Sequence, residues 1–382
     1  MAKLKPDFSS QLKELGAFDL AACYNCGTCT AICSMSDEEN SIPRKMVRYS
    51  VLGLEGEIQA SLDPWLCYYC GECSTSCPRE ANPGELMMAL RRYLTTSYDW
   101  TGLSKKFYTS KSWEISAISL LSAIILVLFI LFHGPMTKEL TSQGGVQLNT
   151  FAPWNWIELG DWIMAGILSF FLLTNIFNMY LKIFRGPQKV RVPVKLYFTQ
   201  LWKLIFHFLT QWRFRKSNRT TRIGSKDIKI SSYWISHWLL MTGYVLLFTM
   251  IVVFLEWFQT DIIHPWWYPQ RLFGYYATFG LTAGLIFFVW GRIKKNQENN
   301  KYTHFTDWTF LILLSGTVIT GILVHIFRVS GLPYATYYTY VIHLMILFPM
   351  LMIEVPFSKW SHLAYRPFAV YFASVRDTAL KN

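Results

Sequence analysis

The feature that most constrains this chain is the arrangement of its eight cysteines. They form two groups with the same spacing, Cys-x2-Cys-x2-Cys-x3-Cys, and Pro78 follows the second group. In proteins with two [4Fe–4S] clusters, three thiolates of such a group hold one cluster and the fourth holds the other. The spacing therefore predicts cluster one on Cys23, Cys26, Cys29 and Cys77, and cluster two on Cys67, Cys70, Cys73 and Cys33.

Two other uses of these cysteines fit the sequence less well. A disulfide framework needs an oxidising compartment, and we expect no secretory leader ahead of the cysteines. Structural zinc also takes four thiolates, but its sites usually pair Cys-x2-Cys units across a longer loop. Gly27 and Gly71 favour clusters, because a loop that closes tightly around a cluster needs positive backbone dihedral angles.

The segments around the cysteines have the periodicity of helices rather than strands. Apolar residues recur at helical spacing in residues 41–59 and again in residues 84–94, which predicts a helix in each segment. We therefore expect a helical iron–sulfur domain, and we place it at residues 1–105.

Six apolar stretches follow, and each is long enough to cross a bilayer, which takes about 20 residues. The predicted spans are residues 113–133, 158–184, 233–258, 272–292, 307–327 and 335–357. The aromatic run from Trp202 to Phe208 is flanked by basic residues, and it is more typical of an amphipathic helix at the membrane surface. Residues 106–382 are thus predicted to form a six-helix membrane domain.

The basic residues predict how these helices are oriented. They crowd two connections, with Lys189, Arg191, Lys195, Lys203, Arg213, Arg215, Lys216, Arg219, Arg222 and Lys226 in one and Arg292, Lys294, Lys295 and Lys301 in the other. Such connections are cytoplasmic by the positive-inside rule, so both termini are expected in the cytoplasm, beside the inner (cytoplasmic) membrane of the cell. The net charge of +12 then reflects membrane orientation, and we expect no nucleic-acid partner.

Histidines in the apolar stretches are candidate cofactor ligands, because ionisable residues at membrane depth are costly and usually functional. His237 and His362 lie near the same predicted face on different helices, so they are predicted to bind one haem iron from opposite sides. His343 lies nearer the other face, and its candidate partners are His325, His264 and His133. His207 and His304 adjoin cytoplasmic loops and are expected to be solvated.

A quinone needs an apolar slot with a few polar groups for its oxygens. His325 and Arg328 near the outer end of the fifth span, and Glu354 in the sixth, are the candidates. His325 and His264 fit a haem ligand, a quinone contact or a structural role equally well. Glu354 has an alternative, which is to extend towards Lys359 at the cytoplasmic interface.

The last stretch resembles the final helix of the nitrate reductase γ-subunit family. The segment HLMILFPMLMIEVPFSKWSH, from His343 to His362, has a histidine at either end and a Pro-Phe-Ser stretch near its inner end. In that family two such histidines ligate two b haems, and His237 falls where another inner-haem ligand lies. A further family histidine lies about three helical turns on, where this chain has apolar residues around Leu247. The resemblance implies two b haems and leaves the outer haem's second ligand open.

The cysteine-rich part resembles the α-helical ferredoxin modules of succinate dehydrogenase and of the C-type subunit of heterodisulfide reductase. Joined to such a membrane domain, it is similar to the C-type subunits of quinone-interacting membrane-bound oxidoreductase complexes. The resemblance implies an all-α fold, an α-helical ferredoxin domain fused to a six-helix transmembrane cytochrome b domain.

The same resemblance implies a subunit of a quinone-linked oxidoreductase, with menaquinone as substrate. It passes electrons between the quinone pool, b haems and two [4Fe–4S] clusters, to or from soluble partners. The implied partners are flavin and iron–sulfur subunits related to the A-type subunit of heterodisulfide reductase, with adenylylsulfate reductase as terminal partner in sulfur metabolism. The residues predict electron transfer and no side-chain catalysis. A membrane anchor and electron relay without its own quinone site fits the same residues.

Overall fold

The computed structural model describes residues 4–38, 40–187, 189–213, 232–295 and 298–381. Across these residues the chain is built from helices, and the β-type pairing is limited to one isolated bridge between Leu140 and Val146. The predicted all-α fold is confirmed. Some basic residues on which the orientation rests lie outside the described residues, namely Arg215, Lys216, Arg219, Arg222 and Lys226.

Eight short helices precede the first long one. They are α1 (Phe8–Glu14), α2 (Thr28–Ala31), α3 (Arg44–Val51), α4 (Glu55–Gln59), α5 (Asp63–Leu66), α6 (Glu72–Thr75), α7 (Pro83–Tyr98) and α8 (Leu103–Thr109). The single helix predicted for residues 41–59 is wrong, because the chain breaks at Gly53. A Cβ at Gly53 would lie 2.2 Å from the backbone oxygen of Lys5. The close approach of the N-terminal segment thus requires glycine.

In the part of the chain that the structure describes, six helices are long and apolar enough to cross a membrane. They are α9 (Lys111–Phe132), α11 (Trp154–Phe184), α14 (Ser232–Val253), α16 (Pro269–Lys294), α18 (Phe305–Val329) and a sixth segment, Pro333–Phe357. Each overlaps a predicted span. The third ends five residues before the predicted position 258, and those residues include a separate short helix, α15 (Leu255–Phe258). Six such helices are compatible with a multi-pass membrane protein.

Shorter helices connect or follow these six. They are α10 (Leu148–Phe151), α12 (Val194–Thr199), α13 (Leu201–Thr210) and α17 (Glu298–Lys301). Helix α13 is too short to cross a bilayer and exposes Trp202, Ile205 and Phe206 on one side while it buries His207. It therefore has the amphipathic character that the sequence predicts.

The sixth long segment is irregular towards its end. Helix α19 (Pro333–Pro349) passes into a π-helical stretch, Met350–Glu354, and then into α20 (Val355–Phe357). A single turn, Lys359–Ser361, leads to the last helix, α21 (His362–Lys381). Such π-helical stretches frequently lie at functional sites. This one positions Glu354 close to the turn that precedes His362.

The apolar core of the cysteine-rich part is not confined to the first hundred residues. Phe8, Met46 and Leu90 from α1, α3 and α7 share one fully buried cluster with Met179 of α11 and Tyr365 of α21. The predicted domain boundary at residue 105 lies inside α8, and the division into two domains stays a prediction. The cysteine-rich part is packed directly onto one end of the helix bundle.

The connections between the long helices collect at two opposite ends. At the end that carries the cysteines, the Asn178 amide donates to the backbone oxygen of Tyr98 over 2.9 Å. At the other end, the Asn149 amide donates to the backbone oxygen of Gln259, also over 2.9 Å. This grouping is the one that the basic residues predict. Which end faces the cytoplasm stays a prediction.

Candidate redox sites

The two cysteine groups adopt the same local conformation. In the first loop the Asn25 backbone N–H donates to Cys23 Sγ over 3.3 Å, and in the second the Tyr69 N–H donates to Cys67 Sγ over 3.3 Å. Asn25 and Tyr69 both have positive φ, at 66° and 55°. Backbone N–H groups directed at sulfur stabilise thiolate charge. Equivalent loops indicate that both groups are built to hold the same kind of centre.

A glycine at the start of a short helix follows each loop. Gly27 and Gly71 have φ values of 91° and 87°, so the positive dihedral angles predicted for them are confirmed. Each glycine lets the chain turn into the helix, α2 or α6, that carries the third cysteine of its group.

The structure brings Cys77 to the first cysteine group. Burial raises the pKa of the Cys29 thiol, and the neighbouring thiolates of Cys23, Cys26 and Cys77 raise it further. Cys26 is the exposed member of this set. The first predicted cluster site thus has its four thiols in one place, with one of them at the protein surface.

The structure likewise brings Cys33 to the second group. Burial raises the pKa of Cys73, and Cys67, Cys70 and Cys33 add to the increase. These four thiols line one cavity together with Met87 and other apolar side chains. The cavity is the kind of cradle that an iron–sulfur cluster needs, with thiolate ligands in an apolar wall.

Neither set of thiols is arranged for a single metal ion. Within the described part of the chain, no three Cys, His, Asp or Glu side chains converge tightly enough to bind one ion. A cluster of four irons spreads its ligands over a larger volume than one ion does.

The structure also brings His237 and His362 together. Their ring centres are 6.0 Å apart. Two imidazoles on opposite sides of one metal, each with a bond of about 2.0 Å, have ring centres roughly 6 Å apart. The two rings are therefore spaced so that they could hold one metal ion between them.

Both rings are oriented by an oxygen atom at Nδ1. His237 Nδ1 lies 2.5 Å from Gln211 Oε1, and His362 Nδ1 lies 2.7 Å from the backbone oxygen of Lys359. A proton on Nδ1 puts the lone pair on Nε2, which is the usual arrangement of a metal-binding histidine. Burial, and then His237, lower the pKa of His362 well below its ordinary value, so its imidazole is neutral and able to bind metal.

His207 lies beside this pair, so the expectation that it is solvated was wrong. It is buried and lines one pocket with His237 and His362. Burial, and then Arg366, lower the pKa of His207 to about 3. His304 is also partly buried, because its ring caps the first turn of α18. The burial of His207 had no signal in the local sequence, since it depends on helices far away in the chain.

Two arginines connect the histidine pair to the second cysteine group. Arg366 lies one turn after His362 on α21, and its guanidinium donates to the backbone oxygen of Cys67 over 2.8 Å. The Arg91 guanidinium donates to the same oxygen. Both arginines were missed in the sequence. The spacing of four residues from His362 could have identified Arg366, since it places both side chains on one helix face.

These groups surround a cavity between the cysteine-rich part and the helix bundle. We call it the interface cavity, and Tyr69, Arg91, His237, Lys359, His362 and Arg366 are among its lining residues. It extends from the second cysteine loop to the histidine pair. The cavity therefore adjoins both predicted redox sites.

A buried ion-pair network borders the same cavity. Arg92 of α7 lies 3.1 Å from Glu85 and 3.5 Å from Asp307 of α18, and Asp307 also pairs with the Lys359 ammonium. Buried charges are tolerated when they are paired in this way. The network joins the cysteine-rich part to α18 and to the turn before His362.

His343 is in a different environment from the pair. Its Nδ1 lies 2.9 Å from Thr320 Oγ1. A Cβ at Gly321 would lie 3.3 Å from its ring, so the glycine leaves room for the imidazole. Among the described residues, no second histidine ring lies against that of His343. The second ligand of a haem at His343 stays open.

The other histidine candidates lie at the opposite end of the bundle from the cysteines. Arg271 of α16 donates through Nη1 to His325 Nδ1 over 3.0 Å, and Tyr275 contacts the same ring edge-on, with ring centres 5.8 Å apart. The Arg271 guanidinium also reaches the backbone oxygen of His264 over 3.4 Å. Arg328 donates to a carbonyl in the loop nearby. Arg271 and Tyr275 were missed, although Arg271 directly precedes the fourth predicted span.

Glu354 is fully buried. Its Oε2 accepts a hydrogen bond from the Lys359 backbone N–H over 3.1 Å, whereas the Lys359 ammonium pairs with Asp307. Glu354 therefore does extend towards Lys359, but to its backbone N–H and not to its ammonium group. Its carboxyl group points into the protein.

The match to known families agrees with the geometry of the cysteine loops. Residues 22–82, which include all eight cysteines, match the model of the 4Fe-4S dicluster domain. This match supports [4Fe–4S] clusters in the cysteine-rich part. The class defined so far is an iron–sulfur protein with six long apolar helices among its described residues.

A curated protein is similar to part of this chain. The chain is 36% identical over 88 residues to a heterodisulfide reductase C-like protein of Archaeoglobus profundus. The aligned part is 23% of this chain and 47% of that protein, so the chain spans about half the length of the curated relative that it matches. No solved structure matches the chain.

Proposed function

We propose that this chain is the membrane electron-transfer subunit of a quinone-linked oxidoreductase. The observation that carries the proposal is the position of α21, which holds His362 and binds the backbone of Cys67 through Arg366. The predicted haem site and the predicted site of cluster two are thus held by one rigid element. Such adjacency is what electron transfer between two centres needs.

The proposal assigns each centre to residues of this chain. Cluster one is held by Cys23, Cys26, Cys29 and Cys77, and cluster two by Cys67, Cys70, Cys73 and Cys33. His237 and His362 hold the inner haem b, and His343 holds a second haem b. Haem and iron–sulfur clusters supply one-electron redox chemistry when they are bound. The protein contributes ligands, their orientation through Gln211 and Lys359, and the charge around each site.

We place the quinone contact at Arg271 and His325. The two side chains are hydrogen-bonded to each other near the end of the bundle opposite the cysteines, and Leu272 and Phe273 beside them are exposed apolar residues. Polar groups next to an apolar surface suit a quinone, whose ring is apolar and whose oxygens accept hydrogen bonds. Glu354 lies within the protein, away from such a surface.

The proposed partners follow the resemblance of the whole chain and the curated relative. They are soluble flavin and iron–sulfur subunits of the heterodisulfide reductase type, with menaquinone as the membrane substrate and adenylylsulfate reductase as the terminal partner. Cluster one is the proposed exit, because its ligand Cys26 and the neighbouring Tyr24 are exposed. The proposed orientation puts this surface in the cytoplasm.

The test is a redox-difference absorption spectrum of the purified chain, with haem, iron and acid-labile sulfide measured on the same sample. We expect a b-type spectrum, two haems and about eight non-haem irons. His237→Ala and His362→Ala should each remove the same single haem and keep the non-haem iron content. His207→Gln is the matched control, since His207 lines the same pocket, and it should retain both haems.

Other outcomes decide against the proposal. Full iron content without haem in the wild-type chain would leave an electron relay and anchor without its own quinone site. Loss of haem in His207→Gln but not in His237→Ala would show that the ligand pair is wrong.

A further inference from the structure

Two buried carboxyl groups near the interface cavity have no place in the function proposed above. Glu114 in the first turn of α9 and Glu354 at the end of the π-helical stretch are both 0% exposed. Each has one oxygen that accepts a hydrogen bond, from the Thr309 hydroxyl over 3.0 Å and from the Lys359 N–H over 3.1 Å respectively. The other oxygen of each, Oε1, is buried without a hydrogen-bond partner among the described residues.

The two carboxyl groups belong to one site. They are electrostatic neighbours, and the Ser358 side chain lies near both. Ala117 and Ile118 of α9 pack in one cluster with Ile353 and Phe357, on either side of Glu354. Two neighbouring carboxylates out of water repel each other when both are ionised, so such a pair holds at least one proton. A protonated oxygen also explains how a buried carboxyl group can lack a donor.

The charged groups around the pair do not neutralise it. The Lys359 ammonium is paired with Asp307, and Arg92 is shared between Asp307 and Glu85. Tyr108 of α8 faces Glu354, and Arg292 of α16 faces the Asp307–Lys359 pair. In the described residues, neither Glu114 nor Glu354 forms an ion pair with a lysine or arginine. The charge of the Glu114–Glu354 pair therefore depends on how many protons the two carboxyl groups bind.

One residue connects this pair to the candidate haem ligand. The backbone N–H of Lys359 donates to Glu354 Oε2, and its backbone oxygen lies 2.7 Å from His362 Nδ1. Lys359 therefore contacts both groups, so a change of charge at the His237–His362 site changes the electrostatic potential at Glu354. An added electron there favours protonation of a nearby carboxylate, and its removal favours proton release.

We propose that Glu354, with Glu114 as its partner, is a redox-linked proton site. It takes up one proton when an electron from a quinol arrives at the His237–His362 site, and releases the proton when the electron leaves. The proton comes from water at the cysteine-bearing end through the interface cavity, which Tyr108 and Lys359 line. Only an O–H bond is formed and broken, so charge is balanced by one electron and one proton. This inference rests on the proposed function.

The test measures the midpoint potential of each haem as a function of pH. In the wild-type chain we expect the potential of the inner haem to fall as pH rises. The limit is about 59 mV for each tenfold change in proton activity, because one electron is coupled to one proton. Glu354→Gln should abolish this slope at the inner haem and leave the second haem unchanged. Glu256→Gln, at an exposed glutamate of α15, is the control and should keep the wild-type slope.

A second variant and a second readout keep the test decisive. Glu114→Gln removes the repulsion within the pair and should move the sloping region to lower pH. Redox-difference infrared spectra should show a protonated carboxyl band on reduction of the wild-type chain and not of Glu354→Gln. If Glu354→Gln does not retain haem, a sloping region at the same pH in Glu114→Gln as in the wild-type chain overturns the inference.

The proposed function and this inference fail in different ways. A wild-type chain without haem overturns both. A chain that binds two haems, with an inner-haem slope that is the same in wild type and Glu354→Gln, overturns the proton site and leaves the proposed function standing.

Discussion

Replacing Arg91 by Gln should lower the reduction potential of cluster two and leave cluster one unchanged. The Arg91 guanidinium donates to the backbone oxygens of Pro64, over 2.6 Å, and of Cys67, a proposed ligand of cluster two. Among the described residues no carboxylate pairs with it. Its positive charge therefore stabilises the extra electron of the reduced cluster.

The size of the effect follows from Coulomb's law. A hydrogen bond and one cysteine residue separate the guanidinium from the cluster, so the charges are about 8 Å apart. At an effective dielectric constant of about 20 their interaction is about 2 kcal/mol. Because about 2.3 kcal/mol corresponds to 100 mV for one charge, the potential of cluster two should fall by about 90 mV.

The assay is a potentiometric titration followed by electron paramagnetic resonance, which separates the two clusters by their spectra. Arg91→Lys keeps the charge and should keep a potential near that of the wild-type chain. Arg44→Gln is the matched control at the first cysteine loop, where Arg44 Nε donates to Asn25 Oδ1 over 2.8 Å. It should lower the potential of cluster one instead. An equal shift of both clusters in Arg91→Gln, or no shift at all, would refute the reasoning.

Two further predictions concern the ligands and the quinone. Cys77→Ser should destroy the cluster of the first cysteine group, and Cys33→Ser should destroy that of the second, as measured by iron content and paramagnetic spectra. If each variant instead lost the cluster of its own cysteine group, the proposed exchange of the fourth ligands would be wrong. His325→Ala should keep both haems and slow their reduction by quinol severalfold, because Arg271 loses its hydrogen-bond partner, whereas loss of one haem would identify His325 as the missing ligand of the haem at His343.

The sequence predicts well whatever depends on residues close together in the chain. The two cysteine groups and their glycines determine the loop conformation locally, and residues 22–82 match a dicluster family. The apolar stretches determine the six long helices to within a few residues, since burial in a bilayer depends on composition over about 20 residues. The His237–His362 contact was predicted from the depth of the two histidines in the membrane, which follows from the order and orientation of the predicted spans.

The sequence does not predict contacts between residues that are far apart in the chain. Arg91 and Arg366 reach the same carbonyl of Cys67 from opposite ends of the chain, and no local pattern indicates such convergence. Gln211, which orients His237, follows a helix in a connection with no evident motif. The break at Gly53 depends on the approach of Lys5. In each case tertiary packing chooses among conformations that the local sequence allows.

The shared apolar core has a consequence for the order in which this chain is made. Met46 and Leu90 are buried together with Tyr365 of α21, and α21 is translated after all six long helices. Domains near the N-terminus commonly fold during synthesis, but here the cysteine-rich part must wait for α21 before its apolar face is covered. Until α21 has been made, the apolar face that Tyr365 covers stays exposed to solvent.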